Sequence, residues 1–292
     1  MKKYSYTLAL TILFSGISLS LSATSPNTGW TATFENKKVF TENKGQFSSP
    51  DKQHPVLYAF DDGLNMIYFT KVGVSYSFTK RSKKEQEQEG LFAHRKKTAG
   101  REEEENQAVC ITQRIAMNWE HANPDVQVIA EGETPDYRSY VFREKGEMRN
   151  VNNIRCFTKL RYQNLYPHID VEYVFHPVQG IKYSLIVHPG ADLSQVSMAY
   201  EQHIPLLLKP NGDLHIPTRF GDIVDHAPLT YYQDEPGTVI GSHFNQAGHA
   251  AGFILDAFDP TRTLVIDPWT ATPAMPNCNK VWEVERDGAG NA

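Results

Sequence analysis

The sequence predicts an all-β protein: an antiparallel β-sandwich-like domain, with two packed sub-domains as the alternative, behind a signal peptide. Three observations predict it. Apolar and polar residues alternate at period 2 over short runs. Turn signals punctuate the chain about every 8 to 15 residues. No segment sustains a helical period over a convincing length.

Residues 1–23 read as a cleavable signal peptide. Lys2 and Lys3 form its positive start, Leu8 to Phe14 its apolar run, and Leu21-Ser22-Ala23 the small residues before a cut after Ala23. Ser15, Gly16, Ser18, Ser20 and Ser22 dilute the second half. The apolar stretch therefore falls short of the about 20 residues a membrane span needs. Residues 24–37 are a polar leader.

The β-rich domain is expected over residues 38–268. Pro55 to Phe60 and Met66 to Thr70 flank Asp61-Asp62-Gly63, a hairpin signal because Gly accepts the positive φ of a tight turn. Val74 to Phe78 follows as a strand. Residues 80–107 then change character, with Lys80 to Glu89 and Arg101 to Glu105 too charged to bury, so a charged surface loop is expected between two strands. Strands resume at Ala108 to Trp119, Val126 to Ile129, Tyr137 to Phe142 and Phe157 to Tyr162.

The clearest pair is Ile169 to Phe175 with Ile181 to Val187, joined across Pro177 to Gly180. Ile181, Tyr183, Leu185 and Val187 share one face, as period 2 requires. Pro210-Asn211-Gly212 marks another hairpin between Leu206–Leu208 and Leu214–Ile216. Short strands are expected near 222–226, 229–233, 239–244, 250–257 and 263–267.

Charge and cysteine usage narrow the function. The chain of 292 residues carries 29 Lys and Arg against 34 Asp and Glu. Loss of Lys2 and Lys3 with the signal leaves 27 minus 34, or −7. That balance lacks the basic footprint of a nucleic-acid binder and the polybasic cluster that holds a protein to anionic lipid. Cys110, Cys156 and Cys278 form no C-x-x-C pair. An exported chain admits one disulfide, for which Cys110 and Cys156 are the candidates, or three free thiols.

Chemistry-bearing residues are few. His168 and His176 stand eight positions apart, about 26 Å along a strand at ~3.3 Å per residue, too far for one ion. His243 and His249 flank a candidate hairpin, but two ligands make no structural metal site. Asp170 and Glu172 share one strand face. Paired carboxylates serve glycoside hydrolysis, whereas the solvent face of a half-buried strand needs only cross-strand partners such as Arg161 and Lys182. No nucleophile elbow and no phosphate-binding glycine loop is present. No catalytic, cofactor-binding or metal residue is assigned.

One resemblance spans most of the chain. Its carriers, in order, are Asn43–Phe47 (NKGQF), Asn164–Tyr173 (NLYPHIDVEY), Ile181–Asp192 (IKYSLIVHPGAD), Phe220–Pro228 (FGDIVDHAP) and Asp259–Pro268 (DPTRTLVIDP). This set resembles the uncharacterised N-terminal β-rich domain, of DUF7948 type, that heads secreted bacterial proteins. In those proteins it precedes SBBP β-propeller or PKD repeats, in gliding-motility and type IX secretion contexts of Bacteroidota. Residues 269–292 are similar to the start of a propeller blade. A blade has about four strands, so the expectation is a truncated repeat.

The resemblance implies a non-catalytic structural or interaction module, exported to the cell surface or beyond, with the periplasm as the alternative. The implied partner is a surface protein or glycan. Carbohydrate or matrix binding is the second hypothesis and predicts a row of exposed Tyr or Trp. A glycoside hydrolase is the third and predicts a cleft around Asp170, Glu172 or Asp225.

Overall fold

The structure is a computed structural model and describes residues 38–49, 51–63, 65–82, 109–176 and 180–274. The expected signal peptide, leader, propeller-like start beyond 274, Cys278 and most of the charged loop lie outside the described residues.

Among the described residues nineteen strands form one sheet, and every pairing between them is antiparallel. In chain order they begin with β1 (Phe40–Glu42), β2 (Tyr58–Asp61), β3 (Asn65–Phe69), β4 (Gly73–Ser82), β5 (Val109–Trp119), β6 (Gln127–Glu144) and β7 (Glu147–Tyr166). Next come β8 (Ile169–Phe175), β9 (Ile181–Val187), β10 (Met198–Tyr200), β11 (Leu207–Leu208), β12 (Leu214–Thr218) and β13 (Gly221–Asp225). The last are β14 (Leu229–Tyr232), β15 (Glu235–Ile240), β16 (Ser242–Ala247), β17 (Ala250–Leu255), β18 (Leu264–Asp267) and β19 (Trp269–Ala271). A 3-10 turn at Leu193–Gln195 is the one helical element among the described residues.

The long strand β7 organises the sheet. One of its edges carries β8 along residues 159–166 and β1 at Phe157 and Cys156. From β1 one wing runs through β2, β3, β4, β5, β10, β17 and β16. From β8 the other runs through β9, which splits to β18–β14–β15 and to β19–β13–β12–β11. The sheet curls until it is nearly closed, like a barrel, with the wings facing across a shared core. Trp119 on β5 donates its indole N–H to the Tyr173 hydroxyl on β8, 3.1 Å away and buried. Phe69 on β3 packs edge-on against Tyr173, with centroids 5.3 Å apart. The two layers of a sandwich are thus halves of one continuous sheet, and one core replaces the alternative of two sub-domains.

Period-2 patterning builds that core. Along β9 the odd residues Ile181, Tyr183, Leu185 and Val187 are buried and the residues between them are half-buried. Register places Ile169 against Val187 and Phe175 against Ile181, as the sequence predicts. Gly63 (φ 77°) and Gly212 (φ 88°) make the two expected hairpin turns.

Two expectations change, and one open alternative is decided. Strand β4 continues through Lys80 and Arg81 to Ser82, which pair with Ile111, Cys110 and Val109, so the charged connection is shorter than residues 80–107. Of the two readings left open for Cys110 and Cys156, the free thiols hold, the first exposed on β5 and the second buried on β7. The separate strands expected at 126–129 and 137–142 are one strand, β6, which forms with β7 an 18- and 20-residue ribbon.

Candidate functional site

The ribbon extends well past the body. Beyond Gly132, β6 is mostly exposed, and so is β7 up to Asn153. Its tip is Lys145-Gly146, at φ 49° and 90°, the two positive values of a primed hairpin turn. Tyr140 anchors the ribbon's root, its ring 5.3 Å from Phe47 and its hydroxyl donating to Asp61 at 3.1 Å. Farther out, Tyr137, Val141 and Met148 are 67%, 63% and 63% exposed. The outer edge of β6 has no partner strand among the described residues.

At the ribbon's base the outward face of the sheet carries an ion-pair ladder. Lys159 on β7 lies 2.8 Å from Glu131 on β6 and 3.1 Å from Glu172 on β8. Burial opposes the charge on Lys159, but the hydrogen bonds it donates to both carboxylates carry its pKa above the ordinary value. Arg161 reaches Asp170 at 3.2 Å, and Asp170 also accepts the Asn164 backbone N–H at 2.7 Å. Asn164 has a positive φ of 51°, so this bond pins an irregular stretch of β7. Lys182 joins not these acids but Asp267, at 2.6 Å. The two carboxylates that hydrolysis would use are each engaged by a cation.

Beside the ladder lies an open cavity of about 530 Å³. Lys38, Glu131, Gly132, Thr158 and Lys159 give its polar wall, and Val174 with Phe175 its apolar wall. Gly132, at φ 67°, lets the chain press on Thr158: a Cβ there would lie 2.1 Å from the Thr158 hydroxyl. Phe175 is held by Phe40 and Phe60, with centroids 4.5 and 4.9 Å away.

Asp225 sits elsewhere, 2% exposed inside the core. Burial lifts its pKa to about 6, against hydrogen bonds from Thr270, Tyr183 and Tyr200 that favour the charged form. Tyr183 and Tyr200 donate at 3.4 Å, and the Thr270 hydroxyl makes a shorter contact. The charge of Asp225 also pushes the hydroxyls of Tyr76 and Tyr173 further up, beyond what burial does. This carboxyl is enclosed by core tyrosines rather than set in a cleft.

The histidines separate. His168 occupies the β7–β8 turn at φ 62°. His176 stacks on Trp269 at 4.5 Å, and His226 stacks on the same indole at 3.8 Å. His243 faces Ile254 across the β16–β17 hairpin, while His249 lies in its turn, so the two do not oppose each other. Among the described residues no group of three or more His, Cys, Asp or Glu is placed to hold a metal ion. The exposed aromatics among them are Tyr137 and Phe258, which form no row.

Sequence reasoning missed the ribbon, the cavity and the tyrosine enclosure of Asp225. Lys145-Gly146 was the available signal for the ribbon. The other two depend on residues distant in sequence, for which no local signal exists.

The family described as Domain of unknown function (DUF7948) has a model that matches residues 40–269. No curated protein and no solved structure matches the chain.

Proposed function

We propose that this chain, which belongs to the DUF7948 family, serves as a non-catalytic exported module that docks on another surface protein through its β6–β7 ribbon. The observation that carries this reading is the ribbon itself. It holds Tyr137, Val141 and Met148 in water on a two-stranded extension that the core does not need. Isolated ribbons of this kind are marginal alone, and exposed strand edges invite pairing with another chain. The engagement of Asp170 and Glu172 by Arg161 and Lys159 supports a role without general acid–base chemistry.

Export rests on the pattern of residues 1–23. The place at the head of an SBBP-propeller or PKD-repeat protein of a Bacteroidota secretion system rests on the motif resemblance. Both belong to the proposal. N-terminal sequencing of the secreted protein is expected to find Thr24 first.

A photo-crosslinking amino acid at Val141, with the same residue at exposed Asp259 as control, tests docking in the native host. A single adduct of defined mass from position 141 and none from 259 is expected. Equal adducts from both positions, or none from 141, overturn the reading.

Saccharide or matrix binding is the second reading. What favours it is the open cavity at the ribbon's base, not an aromatic row.

A further inference from the structure

The cavity at the base of the ribbon has the elements of a built site. Its walls come from three adjacent strands and Lys38, two residues before β1. Gly132 is the residue that allows β6 to close on Thr158, whose hydroxyl donates to the Gly132 carbonyl at 3.3 Å. Lys38 donates to the His176 carbonyl at 3.3 Å. At about 530 Å³ the cavity has the volume of a small-ligand site but stands open to solvent, so it covers one face of a ring rather than enclosing it.

We propose that this cavity binds a neutral saccharide. Charge decides the class. With the ladder taken whole, Lys38, Lys159 and Arg161 contribute three positive charges and Glu131, Glu172 and Asp170 three negative ones, so the local sum is zero. An anionic ligand would have to compete with Glu131 and Glu172 for Lys159, and a cation with Lys159 for the glutamates. A polyhydroxyl ring disturbs neither pair. Its hydroxyls both donate and accept, matching carboxylate and ammonium groups that stand side by side and the Thr158 hydroxyl. Its C–H face suits the apolar wall of Val174 and Phe175. The opening to solvent leaves room for a chain to continue past the bound ring. This site does not rest on the docking role of the ribbon tip, which lies farther out.

The test uses the mature chain and four named probes: cellotriose, mannotriose and chitotriose as neutral ligands, and trigalacturonate as an acidic one. Binding is followed by calorimetry and by chemical-shift titration. Saturable binding of at least one neutral probe is expected, with trigalacturonate at least tenfold weaker. Lys38→Trp, at an exposed position outside any strand, fills the cavity and is expected to weaken binding at least tenfold without moving the melting temperature. Glu131→Gln, which keeps the shape, is expected to weaken it less. Absence of saturation with all three neutral probes, preference for trigalacturonate, or undiminished binding by a folded Lys38→Trp variant overturns the proposal. None of these outcomes alters the photo-adduct at position 141, so the two readings fail separately.

Discussion

Carboxylates in the shared motifs act as pins. Asp170 holds the bend at Asn164, and Asp267 accepts from Ser184 at 2.6 Å while pairing with Lys182. The side chain of Asn43 accepts from the Gly45 and Phe47 N–H groups of its own turn and donates to the Phe47 carbonyl and to the Val56 carbonyl of a neighbouring segment. Asp225 differs, because hydroxyls rather than a cation answer it. Its folded pKa of about 6 lies above the ordinary 3.8, so the native state holds the proton more tightly than the unfolded chain. Stability from this group is fully present below pH ~4 and is lost as pH rises through ~6, by about 3 kcal/mol at neutrality. Asp225→Asn removes the titration and leaves an amide that can meet the same hydroxyls. Its denaturation midpoint is expected to match or exceed the wild type at pH 7.5 and to flatten between pH 4 and 7. A deficit that grows as pH rises through about 6 would show that the carboxylate itself is required. Tyr162→Phe tests the opposite case. Its hydroxyl is fully buried and donates to the Thr70 carbonyl at 2.7 Å. Losing it leaves that acceptor short of a donor and is expected to cost about 1–3 kcal/mol at every pH below 10 in urea denaturation.

Turns control which strands can meet. Gly180 closes the β8–β9 hairpin at φ 75°, and a Cβ there would lie 1.9 Å from the Thr270 carbonyl on β19. Gly180→Ala therefore meets backbone strain and a backbone clash together. The expected loss is about 1–3 kcal/mol or more, seen as a lower midpoint in thermal and denaturant melts. An unchanged midpoint would mean that β19 yields there. This hairpin was legible in the sequence because its buried face is continuous: Ile181, Tyr183, Leu185 and Val187 lie in register with Phe175, Tyr173, Val171 and Ile169. Of the outer ribbon, the β6 side was legible as the strand expected at Tyr137 to Phe142, and the β7 side was not. On β6 Arg138, Tyr140 and Phe142 are half-buried and alternate with exposed residues, Tyr140 packing on Phe47, whereas from Glu147 to Asn153 only Val151 is half-buried, so β7 carries no period-2 trace there. The ladder was half legible. Arg161 does pair with Asp170, but Lys182 answers Asp267 on β18, a strand whose adjacency to β9 no local pattern reveals. The cavity has the same origin, since Lys38, Glu131, Thr158 and Phe175 meet only after β1, β6, β7 and β8 are assembled.

At the scale of the molecule, one strand feeds both layers. β1 and β8 leave the same edge of β7, and the wings that follow them share a single core from Phe40 to Ile266. Neither wing has an apolar face of its own to keep if the other departs. Phe69 loses Tyr173, and Trp119 loses Tyr173 and Tyr183, whose centroid lies 6.2 Å away. Each layer therefore depends on its partner for burial, at roughly 25 cal/mol per Å² of apolar surface. Unfolding is expected as one transition even though the body exceeds the size at which two-state behaviour is usual. Two indoles report the two wings. Trp119 belongs to β5, and Trp269 to β19 between His176 and His226. With Trp30 and Trp282 replaced by Phe in both variants, following Trp119 fluorescence after Trp269→Phe, and Trp269 fluorescence after Trp119→Phe, isolates each wing against its own far-ultraviolet circular dichroism. In each variant the fluorescence and dichroism midpoints are expected to coincide, because the indole and the whole sheet report the same event. A Trp269 transition that precedes the loss of ellipticity would mean that the wing from β9 to β19 opens by itself. The sheet would then be two cooperative units hinged on β7, and the interlock of Trp119 with Tyr173 too weak to couple them.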